Sequence, residues 1–401
     1  MYDVIVVGAR VAGAATALLL ARAGRRVLLV DRARFPSDTL STHYIHQPGI
    51  ERLARWGVLD AVRATGCPAL DRTVYQVGDV RLDGGTVPAH GQAEAYAPRR
   101  YLLDQILVDA AVAAGAEFRD GCSVSGLVYE DDRVVGVTCR SAGGTPVVER
   151  ARLVIGADGM RSAVAKAVDA PFTVHDPLMS CIYFTYWQGV RSGFELYERP
   201  GRWIGAIPTN DDATLIAAYF PQAEFDTVRG DALAHYLENI RTTAPDLYAR
   251  TEGAERVERL RGTGDQQNFF RKPNGPGWAL VGDAAHHKDS ITARGMSDAL
   301  LAVEVLTGAI TAEGVLDDPA LLDEGLRRYG ERIQDELFEG YRNTLFVSRL
   351  EVTPDRMAML RAVQDSKELT ERYFAVAAGV MSVDELYDED LHSRLVAVEA
   401  A

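Results

Sequence analysis

The first 31 residues constrain the fold more than any other part of the chain. Residues 4–7 form a short apolar run rich in β-branched side chains, which is typical of a strand buried on both faces of a parallel sheet. A helix-forming run without proline follows at 12–23, and a second apolar run ends at Asp31. This order, with an acidic residue about twenty positions beyond the glycines of the first turn, predicts a cradle for a dinucleotide.

The turn of this cradle contains Gly8, Arg10 and Gly13. Gly8 allows a tight turn, Gly13 allows the helix to pack closely on the strand, and the N–H groups at the helix start attract a pyrophosphate. Arg10 departs from the usual pattern, in which a glycine lets the backbone approach the phosphates. Because an unpaired buried guanidinium is costly, we expect Arg10 either to pair with phosphate oxygens or to extend toward solvent.

Composition argues against several kinds of partner. The chain has 401 residues and a formal net charge of −14 at pH 7, which disfavours binding to nucleic acid or to an anionic membrane. No run of about eighteen apolar residues appears, so we expect no transmembrane segment, and a strand that begins at residue 2 leaves no place for a signal peptide. The cysteines lack metal or redox spacing, so we expect a cytoplasmic protein with reduced thiols and no metal site.

The chain after the cradle alternates helices and strands. Periodicity and turn residues predict a helix at 48–56, a hairpin at 73–90, a helix at 100–114, antiparallel strands at 123–148 and a buried strand at 152–157. Further on, a buried strand ends just before Asp283, a helix covers 293–312, and the chain is helical from about residue 317 onward.

Residues 178–220 differ from the rest because strands follow one another without helices. The predicted strands are 180–190, 194–199, 203–208 and 213–220, and a helix at 231–241 covers them. The first strand carries Tyr183, Phe184, Tyr186 and Trp187, so both of its faces are largely aromatic. Two interpretations stay open: a sheet packed on both sides, or a face that lines a pocket for a flat or apolar ligand.

Three motifs in order allow the sequence to be compared with a known family. They are the N-terminal cradle, the segment Gly156-Ala157-Asp158-Gly159, and Gly282-Asp283-Ala284-Ala285-His286 followed by 293–299. The set resembles the flavoprotein monooxygenases of the para-hydroxybenzoate hydroxylase type, which are related to flavin halogenases and geranylgeranyl reductases. The resemblance covers about residues 1–310.

The resemblance implies an α/β fold with a discontinuous cofactor domain. We expect a glutathione-reductase-like, FAD-binding Rossmann domain (1–72, 96–170 and 265–316), an inserted antiparallel-sheet substrate domain (73–95 and 171–264) and a helical C-terminal segment (317–401). It also implies FAD-binding positions, which in this chain are Gly8, Arg10, Val11, Ala12, Gly13, Asp31, Arg32, Thr42, Arg100, Val124, Asp158, Asp283, Gly295 and Met296.

Some of these residues have simpler explanations. Asp158 is a favoured residue for capping a helix that starts nearby, and Arg100 is equally compatible with an exposed position. Asp283 is harder to explain structurally, since ligands of parallel sheets bind at the carboxyl ends of the strands.

Three residues are candidates for proton transfer. In the hydroxylases the stretch after the Gly-Asp motif is rich in proline, whereas here it contains His287, Lys288 and Asp289. We consider His287 and Asp289, together with His43, as acid or base candidates. A surface loop at 287–289 and a structural role for His43 are the alternatives.

The aromatic residues of the predicted sheet suggest a substrate site. Tyr183, Trp187, Trp203 and Tyr219 are its candidates. The segment Trp203-Ile204-Gly205-Ala206-Ile207-Pro208 is similar to an element of the halogenases, but Gly205 replaces their second Trp. This difference makes halogenation the weaker interpretation.

The resemblance implies a monooxygenase that hydroxylates or epoxidises an aromatic or other electron-rich small molecule. In this family NAD(P)H reduces FAD, and O2 then forms a flavin C4a-hydroperoxide that transfers one oxygen atom to the substrate. A flavin-dependent reductase of isoprenoid double bonds and a non-catalytic escort of prenylated proteins are the alternatives. No second glycine-rich nicotinamide cradle is visible, so a separate flavin reductase is an alternative source of electrons.

Overall fold

A computed structural model describes residues 1–141 and 143–399. Its strands are β1 (Tyr2–Val7), β2 (Val27–Val30), β3 (Ala69–Leu70), β4 (Thr73–Val77), β5 (Val80–Gly84), β6 (Ala95–Tyr96), β7 (Glu117–Arg119), β8 (Cys122–Glu130), β9 (Arg133–Ser141), β10 (Val147–Gly156), β11 (Phe172–Asp176), β12 (Ser180–Gln188), β13 (Phe194–Arg199), β14 (Arg202–Pro208), β15 (Ala213–Pro221), β16 (Glu255–Arg256), β17 (Arg261–Thr263), β18 (Asn268–Arg271), β19 (Asn274–Gly275), β20 (Trp278–Leu280) and β21 (His286–His287).

The predicted helices are all present, and three short helices, α3, α6 and α8 in the numbering below, were not predicted. They are α1 (Val11–Arg22), α2 (Gln47–Arg55), α3 (Leu59–Ala64), α4 (Arg100–Ala113), α5 (Ala163–Ala167), α6 (Phe225–Gly230), α7 (Ala232–Thr243), α8 (Pro245–Thr251), α9 (Gly295–Ile310), α10 (Pro319–Ser348), α11 (Pro354–Gln364), α12 (Lys367–Ala378), α13 (Val383–Leu386) and α14 (Glu389–Glu399). Single 3₁₀ turns lie at Gln222–Glu224, Gly282–Ala284 and Ser290–Thr292.

The N-terminal unit forms the centre of a parallel sheet. Its strand order is β19-β20-β10-β1-β2-β7, with only β19 antiparallel to its neighbour along this order. Residues of β1 alternate between two cores: Val4 and Val6 pack against α1, α4 and α9, while Ile5 and Val7 pack toward β8 and β9. A strand buried on both faces needs this continuous apolar run, which confirms the prediction from its composition.

A second, mostly antiparallel sheet carries the inserted segment. Its order is β16-β12-β15-β14-β13-β4-β5, and the β4–β5 hairpin joins it through a parallel pairing of β4 with β13. One face packs on α7 and α8 and the other on the C-terminal helices α11 and α12. Strand β11 lies apart, in a small sheet with β18 and β21. The exact domain boundaries stay a prediction.

The architecture confirms the expected fold class. An α/β domain with a parallel sheet, an inserted antiparallel sheet and a helical C-terminal segment are all present. The long helix α10 packs against α9, and α11 and α12 lie over β5. The C-terminal helices therefore connect the two sheets instead of forming a separate unit.

Candidate active site

A long groove runs along the carboxyl ends of the central parallel strands. It has a volume of about 740 Å³ and lies where β1, β2 and β10 end, between the start of α1 and the start of α9. Ligands of open α/β sheets bind at this edge. Of the residues proposed for cofactor binding, those that line the groove are Gly8, Arg10, Val11, Ala12, Asp31, Arg32, Thr42, Arg100, Val124, Asp158, Asp283, Gly295 and Met296.

Gly8 and Gly13 are required by close backbone packing. Gly8 has φ +100°, and a Cβ there would lie 2.4 Å from the carbonyl oxygen of Ala157. A Cβ on Gly13 would lie 1.7 Å from the carbonyl oxygen of Gly8. Gly13 is therefore not part of the groove wall, but it lets α1 begin directly beneath the turn.

Arg10 is bound within the protein, which differs from our expectation. Its guanidinium donates to the Asp104 carboxylate at 2.7 Å and to the backbone oxygens of Ser37 and Asp38 at 3.1 and 3.2 Å. Asp104 is fully buried and also accepts a bond from Arg100 at 3.1 Å. A guanidinium with these partners does not extend freely into solvent. It ties the turn to α4 and to the loop after β2.

Asp31 organises the other side of the turn. Its carboxylate accepts backbone N–H bonds from Ala9 and Ala33, each at 2.7 Å. These bonds leave lone pairs of the carboxylate available to a ribose hydroxyl. Helix α1 has no side-chain cap at Arg10, so the first N–H groups of the helix remain available to an anion.

Asp158 caps the start of α5, which agrees with the structural explanation offered for it from the sequence. Its carboxylate accepts bonds from the Ser162 hydroxyl at 2.5 Å and from the Ala163 N–H at 2.6 Å. The residue nevertheless lines the groove. Its demonstrated contacts are structural, and a contact with the cofactor stays a prediction.

The far wall of the groove is formed by the 3₁₀ turn after β20 and by α9. Asp283 is exposed in that turn. Helix α9 has no side-chain cap at Arg294, so the N–H groups of Gly295 and Met296 begin a second uncapped helix at the groove. Two free helix starts and an exposed carboxylate at one strand edge suit a ligand with both phosphates and hydroxyls.

Lys288 and Asp298 form a buried ion pair on the groove wall that was not predicted from the sequence. The Lys288 ammonium donates to the Asp298 carboxylate, and both residues are nearly inaccessible to solvent. Burial alone would raise the pKa of Asp298, but Lys288 and Arg294 hold it well below its usual range. The only indication of this ion pair in the sequence was Lys288, which stands among the titratable residues after the Gly-Asp motif. Its partner ten residues later gave no sign of the pairing.

The three candidate proton-transfer residues occupy different environments. His287 lines the groove, and its Nδ1 bonds to the Gln267 carbonyl. Because a carbonyl only accepts, Nδ1 carries a proton, and Nε2 is the ring nitrogen that can accept one. Asp289 is 1% exposed and accepts bonds from the Ser180 hydroxyl at 2.7 Å and the Ile291 N–H at 3.1 Å. Burial raises its pKa to about 6.

The side chain of His43 does not line the groove, although its neighbours Thr42 and Tyr44 do. Its side chain is fully buried, and Nε2 bonds to the hydroxyl of Tyr186. Burial lowers its pKa to about 3, so the ring is neutral. These contacts agree with the alternative of a structural histidine.

An aromatic chamber opens beside the groove. It lies between the inserted sheet and the C-terminal helices, and shares Thr42, Tyr44, Ser290 and Ala293 with the groove wall. Its volume is about 110 Å³. Its aromatic lining consists of Tyr44, Tyr75, Phe194, Trp203, Tyr219, Tyr373 and Phe374.

The four residues predicted to bind the substrate lie on opposite faces of the inserted sheet, two on each. Trp203 and Tyr219 are register partners on β14 and β15, and both line the chamber. Tyr183 and Trp187 point to the opposite face, where the Trp187 indole donates to the Tyr236 hydroxyl at 3.0 Å. Successive side chains of a strand alternate between faces, so Ile182, Phe184 and Tyr186 of β12 belong to the chamber side instead. Tyr183 and Trp187 are corrected to core residues.

The C-terminal roof of the chamber was also missed. Tyr373 and Phe374 of α12 and Arg356 of α11 line it. The Arg356 guanidinium donates two bonds of 2.7 Å to Glu198, which is 2% exposed on β13. Nothing in the sequence of the charged C-terminal segment indicated which sheet it would cover.

Comparison with known proteins agrees with this geometry. Residues 1–316 match the family described as FAD binding domain. The chain is 30% identical to 6-methylpretetramide 4-monooxygenase of Streptomyces rimosus, across 89% of this chain and 84% of that protein. It is 25% identical to digeranylgeranylglycerophospholipid reductase 2 of Methanopyrus kandleri, across 92% and 91%. The crystal structure of a flavoprotein/dehydrogenase from Cytophaga hutchinsonii has a TM-score of 0.82, 19% identity and 99% coverage of both chains.

Fold and groove together define a flavin-dependent oxidoreductase. The chain belongs to the FAD-binding-domain family, in a superfamily that contains aromatic monooxygenases, and FAD is its cofactor. The groove fits this cofactor because Gly8 lets the turn pack closely against Ala157, two helix starts are uncapped, and Asp283 is exposed. Within residues 1–141 and 143–399, no helix combines the length and apolar character needed to cross a membrane.

Proposed function

We propose that the protein is an FAD-dependent monooxygenase that uses NAD(P)H and O2 to hydroxylate or epoxidise an aromatic or other electron-rich small molecule. The observation that carries the proposal is the aromatic chamber, which adjoins the cofactor groove and shares wall residues with it. A substrate in the chamber therefore lies next to the cofactor. The similarity to 6-methylpretetramide 4-monooxygenase supports a monooxygenase.

The cofactor residues divide by the part of FAD that each would hold. The start of α1, with Val11 and Ala12, would bind the pyrophosphate, and Asp31 would bind the adenosine ribose. Asp283 would bind the ribityl region, and the start of α9 would face the flavin ring. Bound there, FAD would supply the redox chemistry by accepting electrons from NAD(P)H and activating O2.

The chamber positions the substrate and excludes water. Trp203 and Tyr219 form its floor on the sheet, and Tyr373 and Phe374 close it from the C-terminal side. The chamber, at about 110 Å³, is smaller than the roughly 150 Å³ apolar cavity that holds one benzene molecule, so a single ring fills it and requires its walls to adjust. A larger substrate requires movement of the C-terminal helices or extension of its other rings into the groove.

His287 is the residue we propose for proton transfer. Its Nδ1 is engaged by the Gln267 carbonyl, which leaves the lone pair of Nε2 available to accept a proton. The residue lines the groove near Ser290, which also lines the chamber. If His287 accepts the proton of a substrate hydroxyl, the aromatic ring of the substrate becomes more electron-rich. Asp289 is already occupied by Ser180 and Ile291, so we assign it a structural role in this loop.

A double-bond reductase is the second candidate, because relatives with that activity match nearly the whole chain. A long isoprenoid chain exceeds the volume of the chamber and would need the same movement of the C-terminal helices, or the same extension into the groove, as a large aromatic substrate, so chamber size does not separate the two candidates. The two activities differ in their need for oxygen. A reductase turns over without O2, whereas a monooxygenase does not.

The test is to follow NAD(P)H oxidation by the holoprotein with a panel of phenols, first in air and then under anaerobic conditions. The proposal predicts substrate-stimulated oxidation only in air, and a product that is heavier by one oxygen atom. Saturation of an unsaturated lipid without O2 would contradict it. If NAD(P)H fails to reduce the flavin, the same panel is tested with an added flavin reductase.

A further inference from the structure

Lys288 differs from the other basic residues of the chain in type and in burial. Only four of the 43 basic residues are lysines, and the rest are arginines. The side chains of Lys288 and its partner Asp298 are 3% and 5% exposed. Arginine is the usual residue for a buried ion pair, because its planar group can bind a carboxylate through two bonds. A buried lysine in an arginine-rich chain therefore indicates a role for its compact positive charge.

The stability of the fold does not explain this ion pair. Removing two charges from water is costly, and apolar residues of similar volume are often equally or more stabilising in such positions. Burial lowers the pKa of Lys288, and the Asp298 carboxylate opposes this shift, so each charge maintains the other. Both residues line the cofactor groove, which places the pair where a charge acts on a bound cofactor.

Arg294 adds a second positive charge to the pair. Its guanidinium lies 3.5 Å from the carboxylate oxygen of Asp298 that Lys288 does not use. Two cations therefore share one carboxylate, and the cluster of these three residues keeps one positive charge in excess. The Arg294 guanidinium also packs against Gly340 of α10 and Gly379 after α12, where a Cβ would collide with it. This packing fixes the position of the guanidinium.

The start of α9 contributes a potential of the same sign. Its first N–H groups have no side-chain cap, and the N-terminal end of a helix carries a partial positive charge. Asp283 is the opposing charge that acts on Lys288, but it is exposed, so solvent weakens its effect. The part of the groove lined by Ala293, Gly295 and Met296 is therefore electropositive.

Resting on the proposed function, which puts the flavin ring at the start of α9, we propose that Lys288, with Arg294 behind it, stabilises the negative charge of reduced FAD. In the two-electron reduction, NAD(P)H supplies both electrons and one proton, and the reduced flavin ring carries one negative charge. A neighbouring cation favours this form over the neutral oxidised ring, so it raises the reduction potential of the cofactor. Asp298 holds the ammonium in place and moderates its charge.

The experiment measures the reduction midpoint of the FAD-loaded protein against a reference dye, in an anaerobic titration with dithionite and without substrate. Lys288→Met should lower the equilibrium constant for reduction roughly tenfold, which is about 30 mV for a two-electron couple. Arg294→Met should lower it by less, because Arg294 does not line the groove. Lys166→Met removes an exposed lysine of α5 and is the matched control, which should keep the wild-type midpoint.

A double variant separates the effect of charge from that of packing. Lys288→Met with Asp298→Asn removes one charge of each sign and leaves the positive charge of Arg294, so the midpoint should return toward the wild-type value. A purely structural pair predicts a double variant at least as far from the wild type as Lys288→Met. That result, or an unchanged midpoint in Lys288→Met, would overturn the inference. If Lys288→Met binds no FAD, a midpoint of Arg294→Met that is not below that of the double variant overturns it.

The outcome is separable from that of the proposed function, because the midpoint is measured without O2 and without substrate. Midpoints that shift as expected, without O2-dependent oxidation of any phenol, keep the role of Lys288 and refute the oxygenation. Oxygenation with unchanged midpoints keeps the function and refutes the role of Lys288.

Discussion

The pairing of Arg10 with Asp104 is the contact that most sharply separates this cradle from a glycine-lined one. We expect the substitutions Arg10→Met and Asp104→Asn to be coupled. A charge-assisted hydrogen bond is worth about 1.5–3 kcal/mol. Arg10 is 27% exposed at its side chain and partly hydrated, whereas Asp104 is fully buried. We therefore place the coupling free energy in the lower part of this range, at about 1.5–2 kcal/mol.

The assay is a double-mutant cycle on the free energy of unfolding in urea, followed by tryptophan fluorescence in the FAD-free protein. Asp104→Asn should be the more damaging single change, because it also leaves Arg100 without its carboxylate. The exposed pair Arg241 and Glu238 serves as the matched control and should show no resolvable coupling. Additive effects of the two substitutions, within about 0.5 kcal/mol, would refute the reasoning.

Three further predictions follow from single residues. Asp283→Ala should lower the FAD retained on purification without lowering the yield of folded protein, because the side chain is exposed in the groove; normal FAD content would contradict the placement of the cofactor. Trp187→Phe removes the bond to Tyr236 and should lower the free energy of unfolding by about 1–2 kcal/mol, without changing the KM for substrate. Trp203→Phe should raise that KM. A reversed pattern would mean that the sheet faces are misassigned. Burial raises the pKa of Asp289 to about 6 in the folded state. The protonated carboxyl therefore stabilises the folded protein below about pH 4. This contribution to the free energy of unfolding, about 3 kcal/mol, is lost as pH rises through 6. On going from pH 4 to pH 7, the change in the free energy of unfolding of the wild type should be less favourable than that of Asp289→Asn by about 3 kcal/mol, and equal changes in the two proteins would contradict the assignment.

Local patterns in the sequence were sufficient for much of the fold. The apolar run before Gly8 and the spacing to Asp31 specified the central strands and the groove, because both depend on residues close in the chain. The antiparallel strands of the insert were also predicted within a few residues. These elements follow from periodicity and turn residues, which a single sequence displays directly.

Long-range contacts explain what could not be predicted. Asp104 lies 94 positions from Arg10, so no local pattern indicated that the guanidinium already had a partner. In β12 both faces are aromatic, and alternation therefore could not show that Trp187 faces α7 while Phe184 faces the chamber side. The roof contributed by Tyr373 depends on how the C-terminal helices pack, which their charged sequences did not specify.

The most direct test of the central claim is the reaction of the reduced, FAD-loaded protein with oxygenated buffer, followed by stopped-flow absorbance. The account predicts a transient spectrum, different from both reduced and oxidised flavin, that decays to the oxidised form. An added phenol should accelerate that decay and be recovered with one additional oxygen atom. Single-step reoxidation with the phenol unchanged, together with saturation of an unsaturated lipid under anaerobic conditions, would contradict a monooxygenase and identify a reductase.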